Sequence, residues 1–135
     1  MRIVAVDPGT AKCGVAVVDG EGRVPHRAVV PTERLVTIVL RLVAAHAPER
    51  VLVGDGTQSA PIVRALRDAL PESLPVTPVP EGFTSQRARA RYLAENPPSG
   101  LSRLLPRGLR TPPVPIDDYV AVLLAEDWLA RFTQA

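Results

Sequence analysis

The chain has 135 residues, enough for one domain with a core of its own and too few for two ordinary domains. With 46% hydrophobic and 22% charged residues it has the balance of a globular protein in water, which excludes disordered and membrane-embedded classes. The formal net charge is only +2, yet fifteen of the sixteen basic residues are arginine, the side chain suited to forked contacts with phosphate.

The chain opens with an apolar strand, Arg2 to Val6, that ends in Asp7. A tight Pro8-Gly9-Thr10 turn follows, then a second apolar strand from Gly14 to Val18. The turn Gly20-Glu21-Gly22 leads to a third strand, Val24 to Val30, with Pro25 marking it as an edge or bulged strand. Thr32 offers an N-cap, and Leu35, Ile38, Val39, Leu42 and Val43 follow at helical spacing through Ala47, with Pro48 as the stop. Arg50 to Gly54 is a short apolar run of the kind buried on both faces of a sheet. A helix from Ser59 to Leu70 tolerates Pro61 in its first turn. Val76 to Val79 reads as a strand, Thr84 to Ala94 as a helix, and Ile116 to Phe132 as the last helix. Between the last two, residues 96–115 hold six prolines with Arg103, Arg107 and Arg110, and are expected to form a long mobile loop.

This order predicts an α/β fold. Three antiparallel strands are followed by two parallel ones in a mixed five-stranded sheet, with helices on both faces. The strands ending at Asp7, Gly54 and Val79 should run parallel, so their C-terminal ends share the edge where open α/β sheets build sites. Asp7, Asp55 and Glu81 fall at that edge, and Asp117 and Asp118 open the last helix. Each also has a plain structural use: Asp55 in a Gly-Asp-Gly turn, and Asp117 or Asp118 at the positive end of a helix. Gathered together, these carboxylates would repel one another unless a hard divalent cation held them, which points to Mg²⁺ or Mn²⁺. Arg87 and Arg91, four residues apart on one helix face, together with Arg103, Arg107 and Arg110, would form a basic rim around this acidic centre. His26 and His46 offer no catalytic pattern, and Cys13 suits a small core position.

The opening segment, from Val4-Ala5-Val6-Asp7-Pro8-Gly9-Thr10 through Lys12-Cys13-Gly14-Val15-Ala16, resembles the start of the YqgF/RuvX family. Those proteins are ribonuclease-H-like and related to RuvC Holliday-junction resolvases. Val51-Leu52-Val53-Gly54, Pro80-Glu81-Gly82-Phe83-Thr84-Ser85 and Ile116-Asp117-Asp118-Tyr119-Val120-Ala121 match further blocks of that family in order and spacing. The resemblance implies one ribonuclease-H-like nuclease domain over residues 1–135, with Asp7, Glu81 and Asp117 as catalytic acids and metal ligands. Spacing alone leaves Asp117 and Asp118 equivalent, and the resemblance selects Asp117. Asp55 stands where resolvases carry a carboxylate, which makes it a candidate fourth ligand. Thr10, Lys12 and Thr84 join the arginines as candidate nucleic-acid contacts.

The implied activity is metal-dependent phosphodiester hydrolysis, on RNA through maturation of the 16S ribosomal RNA precursor. The alternatives are cleavage of branched DNA and a non-catalytic nucleic-acid-binding module of the same fold. The Asp7-Gly9-Thr10 turn also opens actin-like phosphotransferases, but their cleft takes two facing domains. Met1 leads straight into a strand with no basic leader, the lone Cys13 can form no internal disulfide, and the most apolar helix is interrupted by Arg41. A cytoplasmic protein off the membrane, monomeric or homodimeric, is therefore expected.

Overall fold

The computed structural model describes residues 1–82, 84–96 and 116–134. Five strands, β1 (Arg2–Asp7), β2 (Lys12–Asp19), β3 (His26–Pro31), β4 (Arg50–Gly54) and β5 (Val76–Val79), form one sheet in the order β3-β2-β1-β4-β5. β1 and β3 each pair antiparallel with β2, whereas β1, β4 and β5 run parallel. The helices are α1 (Leu35–His46), α2 (Ser59–Ala69), α3 (Thr84–Glu95) and α4 (Asp117–Gln134).

Strand periodicity divides the apolar residues between two cores. Val4, Val6, Val15, Val17, Val51 and Val53 pack with Leu35, Val39, Leu42, Ile62, Val63 and Leu66 of α1 and α2. On the other face Ile3, Ala5, Ala16, Val18 and Leu52 meet α3 and α4. The small side chains of Ala5 and Ala16 let α4 lie close to the sheet. The whole run Tyr119–Ala125 is consequently buried. Trp128 is only partly buried and lies under the Arg50 guanidinium, 5.2 Å from its ring centre.

Two local features differ from the sequence reading. β3 begins at His26 rather than Val24, because Pro25 has no N–H to give the ladder. Thr32 does not cap α1. It starts a 3-10 turn (Thr32–Arg34) with Pro31 at the N-cap position, and its hydroxyl donates instead to the Gly9 carbonyl at 2.9 Å. The Cys13 sulfur lies 3.3 Å from the same hydroxyl, so a buried thiol and a threonine brace the β1–β2 turn. α1 stops where Ala47 takes a left-handed conformation at φ 47°, directly before Pro48.

β5 carries Pro78 without penalty because it is an edge strand. The N–H groups of Val51 and Asp55 bond to the carbonyls of Pro75 and Val79, so by alternation Pro78 faces away from β4, where no ladder bond is lost. Arg67 of α2 donates to the outward carbonyl of Val76 at 2.9 Å, which further blocks this edge.

Candidate functional site

The parallel strands end together, and Asp7 stands at the centre of that edge, opposite Gly14 in the β1–β2 register. A Cβ on Gly14 would collide with the carbonyl of Asp117, so the absence of a side chain there lets the first turn of α4 rest on the hairpin beside Asp7. Glu81 arrives from the opposite side, two residues beyond β5. Its carboxylate lies over Gly54, where a Cβ would collide with it, and 3.1 Å from the position a Cβ would take on Gly56. The Asp55 carboxylate accepts the Glu81 N–H at 3.2 Å, and the Asp55 N–H bonds to Val79 at 2.9 Å. Strand end, glycine cradle and acid anchor thus fix where the Glu81 backbone turns.

These placements bring the Asp7, Glu81 and Asp117 carboxylates together. Burial is the largest influence on Asp7, followed by the charges of Glu81 and Asp117 and by side-chain hydrogen bonds to both, and together they push its pKa up to about 7. Burial and the neighbouring charges thus favour the protonated carboxyl of Asp7 in this arrangement. Among the described residues no group of three or more His, Cys, Asp or Glu is disposed to hold a metal ion as it stands. The three donors are nonetheless all hard carboxylate oxygens, and the missing side chains of Gly54 and Gly56 leave room for the Glu81 carboxylate over the end of β4.

Asp117 and Asp118, indistinguishable by spacing, have separate partners. Asp117 meets Asp7 and lies 3.8 Å from the Lys12 ammonium. Asp118 turns away and pairs with Arg27 at 3.1 Å. Asp55 is exposed, and its carboxylate accepts the Glu81 N–H. Thr10 is exposed on the hairpin turn.

The expected basic rim has a different disposition in part. Arg87 forks onto Asp127 at 2.8 and 3.1 Å, and Arg91 pairs with Glu126 and Glu95, so both arginines fasten α3 to α4. Arg103, Arg107 and Arg110, with the loop 96–115 beyond Asn96, lie outside the described residues, as does the side chain of Thr84. The sequence reading missed Arg27, whose partners are far away in the chain. It also treated Gly14, Gly54 and Gly56 only as turn or strand residues; a glycine ending a wholly apolar strand was the available signal for close approach.

No family model matches the chain. A curated relative from Phocaeicola vulgatus, named "Putative pre-16S rRNA nuclease", is 34% identical over 104 residues, spanning 68% of this chain and 74% of that protein. A relative of the same name from Bacteroides thetaiotaomicron is 35% identical over 104 residues, spanning 68% and 75%. Among solved structures, Thermus thermophilus RuvC superposes with a TM-score of 0.60 at 24% identity, covering 98% of this chain and 97% of that one. The same protein in complex with Holliday junction substrate gives 0.56 at 23% identity, covering 98% and 96%. The RuvC likeness shows a ribonuclease-H-like fold, and the sequence likeness goes further: this chain belongs to the YqgF/RuvX family.

Proposed function

We propose that the chain is a divalent-metal-dependent nuclease that hydrolyses phosphodiester bonds in RNA, with precursor 16S ribosomal RNA as the substrate class. The observation that carries this reading is the hydrogen-bonded convergence of Glu81 and Asp117 on Asp7 at the C-terminal edge of the sheet. Family membership supports nuclease chemistry, and the name carried by the relatives supports RNA.

Asp7, Glu81 and Asp117 would hold Mg²⁺ or Mn²⁺, which supplies charge neutralisation at the phosphate and an activated water. The chain's own contribution is positioning. Asp7, whose carboxyl proton burial and the neighbouring acids favour, would have to be ionised to serve as a ligand. Asp55 orients the Glu81 backbone, and Gly14 lets Asp117 approach. Lys12, half exposed beside Asp117, and Thr10 on the same turn are the described groups best placed to meet a phosphate. Thr84, Arg103, Arg107 and Arg110 complete the proposed contact set. Arg87 and Arg91 would join only by leaving their acidic partners on α4.

The full-length fold likeness to RuvC keeps branched DNA as a second reading. Incubating the purified protein and Mn²⁺ with single-stranded precursor RNA, duplex DNA and a four-way junction separates the two. Preferential cleavage of RNA is expected; cleavage confined to the junction would replace RNA with branched DNA, and binding without cleavage would favour the inactive module.

A further inference from the structure

Arg27 lies on β3, the edge strand farthest from β5, and faces α4. Its Nε is 3.1 Å from the Asp118 carboxylate, Nη1 is 3.9 Å from Glu95 at the end of α3, and Cζ sits 4.2 Å over the Tyr119 ring centre. The Tyr119 ring meets Tyr92 of α3 edge-on at 5.7 Å, and its hydroxyl bonds to Glu95. One guanidinium thus gathers the last turn of α3 and the first turn of α4. The Asp118 side chain is only 15% exposed, and Arg27 is the cation paired with it among the described residues. A carboxylate enclosed to that degree needs its counter-charge.

Successive helical side chains diverge by about 100°, so the direction of residue 118 sets the direction of residue 117. With Asp118 drawn toward β3, Asp117 turns toward β1, where Asp7 stands. Gly14 supports the same Asp117–Asp118 peptide from below. Arg27 and Gly14 therefore constrain this peptide from two sides.

We infer that Arg27 is a positioning residue for the acidic site: by holding Asp118 and seating on Tyr119 it fixes the first turn of α4 so that Asp117 faces Asp7. The inference rests on the metal-nuclease reading only for its functional consequence; the geometric part stands without it. Removal of Arg27 loosens the start of α4 while its middle, buried over Tyr119–Ala125, stays packed.

The test compares wild type with Arg27→Met, which keeps the aliphatic stem, and Arg27→Lys, which keeps the charge but not the fork. Amide exchange is followed at Tyr119 and Val120, whose N–H groups bond to the Ile116 carbonyl at 3.0 and 3.2 Å, and at Leu124 in the middle of α4. Mn²⁺ affinity is read by electron paramagnetic resonance. In Arg27→Met, exchange should accelerate at Tyr119 and Val120 but not at Leu124, with Mn²⁺ binding weakened about 10- to 100-fold. Arg27→Lys should fall between the two, and it carries the comparison if Arg27→Met does not fold. Unchanged exchange in the first turn, or acceleration spread evenly through α4, would overturn the inference. A loosened first turn in a protein whose wild type binds no Mn²⁺ would uphold the positioning and remove the metal reading instead.

Discussion

The carbonyl oxygen of Asp117 occupies the space into which a side chain at Gly14 would project. The contact joins two segments more than a hundred residues apart, and it decides whether the start of α4 can reach Asp7. Backbone meets backbone here, so neither partner can rotate away. Gly14→Ala should lower stability by about 1–3 kcal/mol, the usual range for overpacking, and reduce metal-dependent cleavage with it. Urea unfolding and cleavage of a labelled RNA measure both.

Gly54→Ala should separate these effects. The atoms that a Cβ at Gly54 would meet belong to the Glu81 side chain, which can swing aside. Stability should change by less than in Gly14→Ala, while cleavage should fall at least as far. Equal losses of stability in the two variants would mean that Glu81 is held more rigidly than its side-chain contact implies.

Asp55 serves as a structural acid in the described geometry, accepting the Glu81 N–H. An asparagine can accept that bond through its own carbonyl oxygen, whereas an alanine cannot. Asp55→Asn should therefore retain most of the cleavage rate and Asp55→Ala should not. Loss of activity in both would assign Asp55 to the metal after all.

The raised pKa of Asp7 gives a pH dependence with a definite sign. Its folded value of about 7 lies above the ordinary 3.8, so the native state holds a proton that the unfolded chain has released. The associated stabilisation is fully present below pH 3.8 and is lost as the pH climbs through 7. Metal-free wild type should become less stable across that window. Asp7→Asn should flatten the dependence and be the more stable protein at pH 8, with the gap shrinking toward pH 4. Thermal unfolding in EDTA at several pH values reads this directly. Adding Mn²⁺ at pH 8 should raise the midpoint of wild type but not of Asp7→Asn.

Much of this arrangement was legible in the chain. Alternation of apolar residues and the chain order of elements sufficed for the sheet and for the shared edge of Asp7, Gly54 and Val79, because strand periodicity and parallel crossovers leave few topologies. The family resemblance selected Asp117 over Asp118; the structure sets Asp117 beside Asp7 and pairs Asp118 with Arg27. Pairings across long stretches of sequence were not legible. Arg87 and Arg91 looked like a basic rim because their acids, Asp127 and Glu126, lie on another helix whose register against α3 is set only by packing. Arg27 escaped notice for the same reason. Thr32 reads locally as a helix cap, but the Gly9 carbonyl, reached through the β2–β3 pairing, captured its hydroxyl instead.

Cleavage of a labelled RNA carrying a 16S precursor end, under single-turnover conditions with Mn²⁺, tests the central claim most directly when wild type and Asp7→Asn are compared side by side. Wild type should cleave in Mn²⁺ and stop in EDTA, and Asp7→Asn should bind the RNA with near-normal affinity yet cleave no faster than wild type in EDTA. Cleavage by Asp7→Asn at the wild-type rate, or by wild type at full rate in EDTA, would contradict the assignment of Asp7 to a metal-dependent phosphodiesterase site.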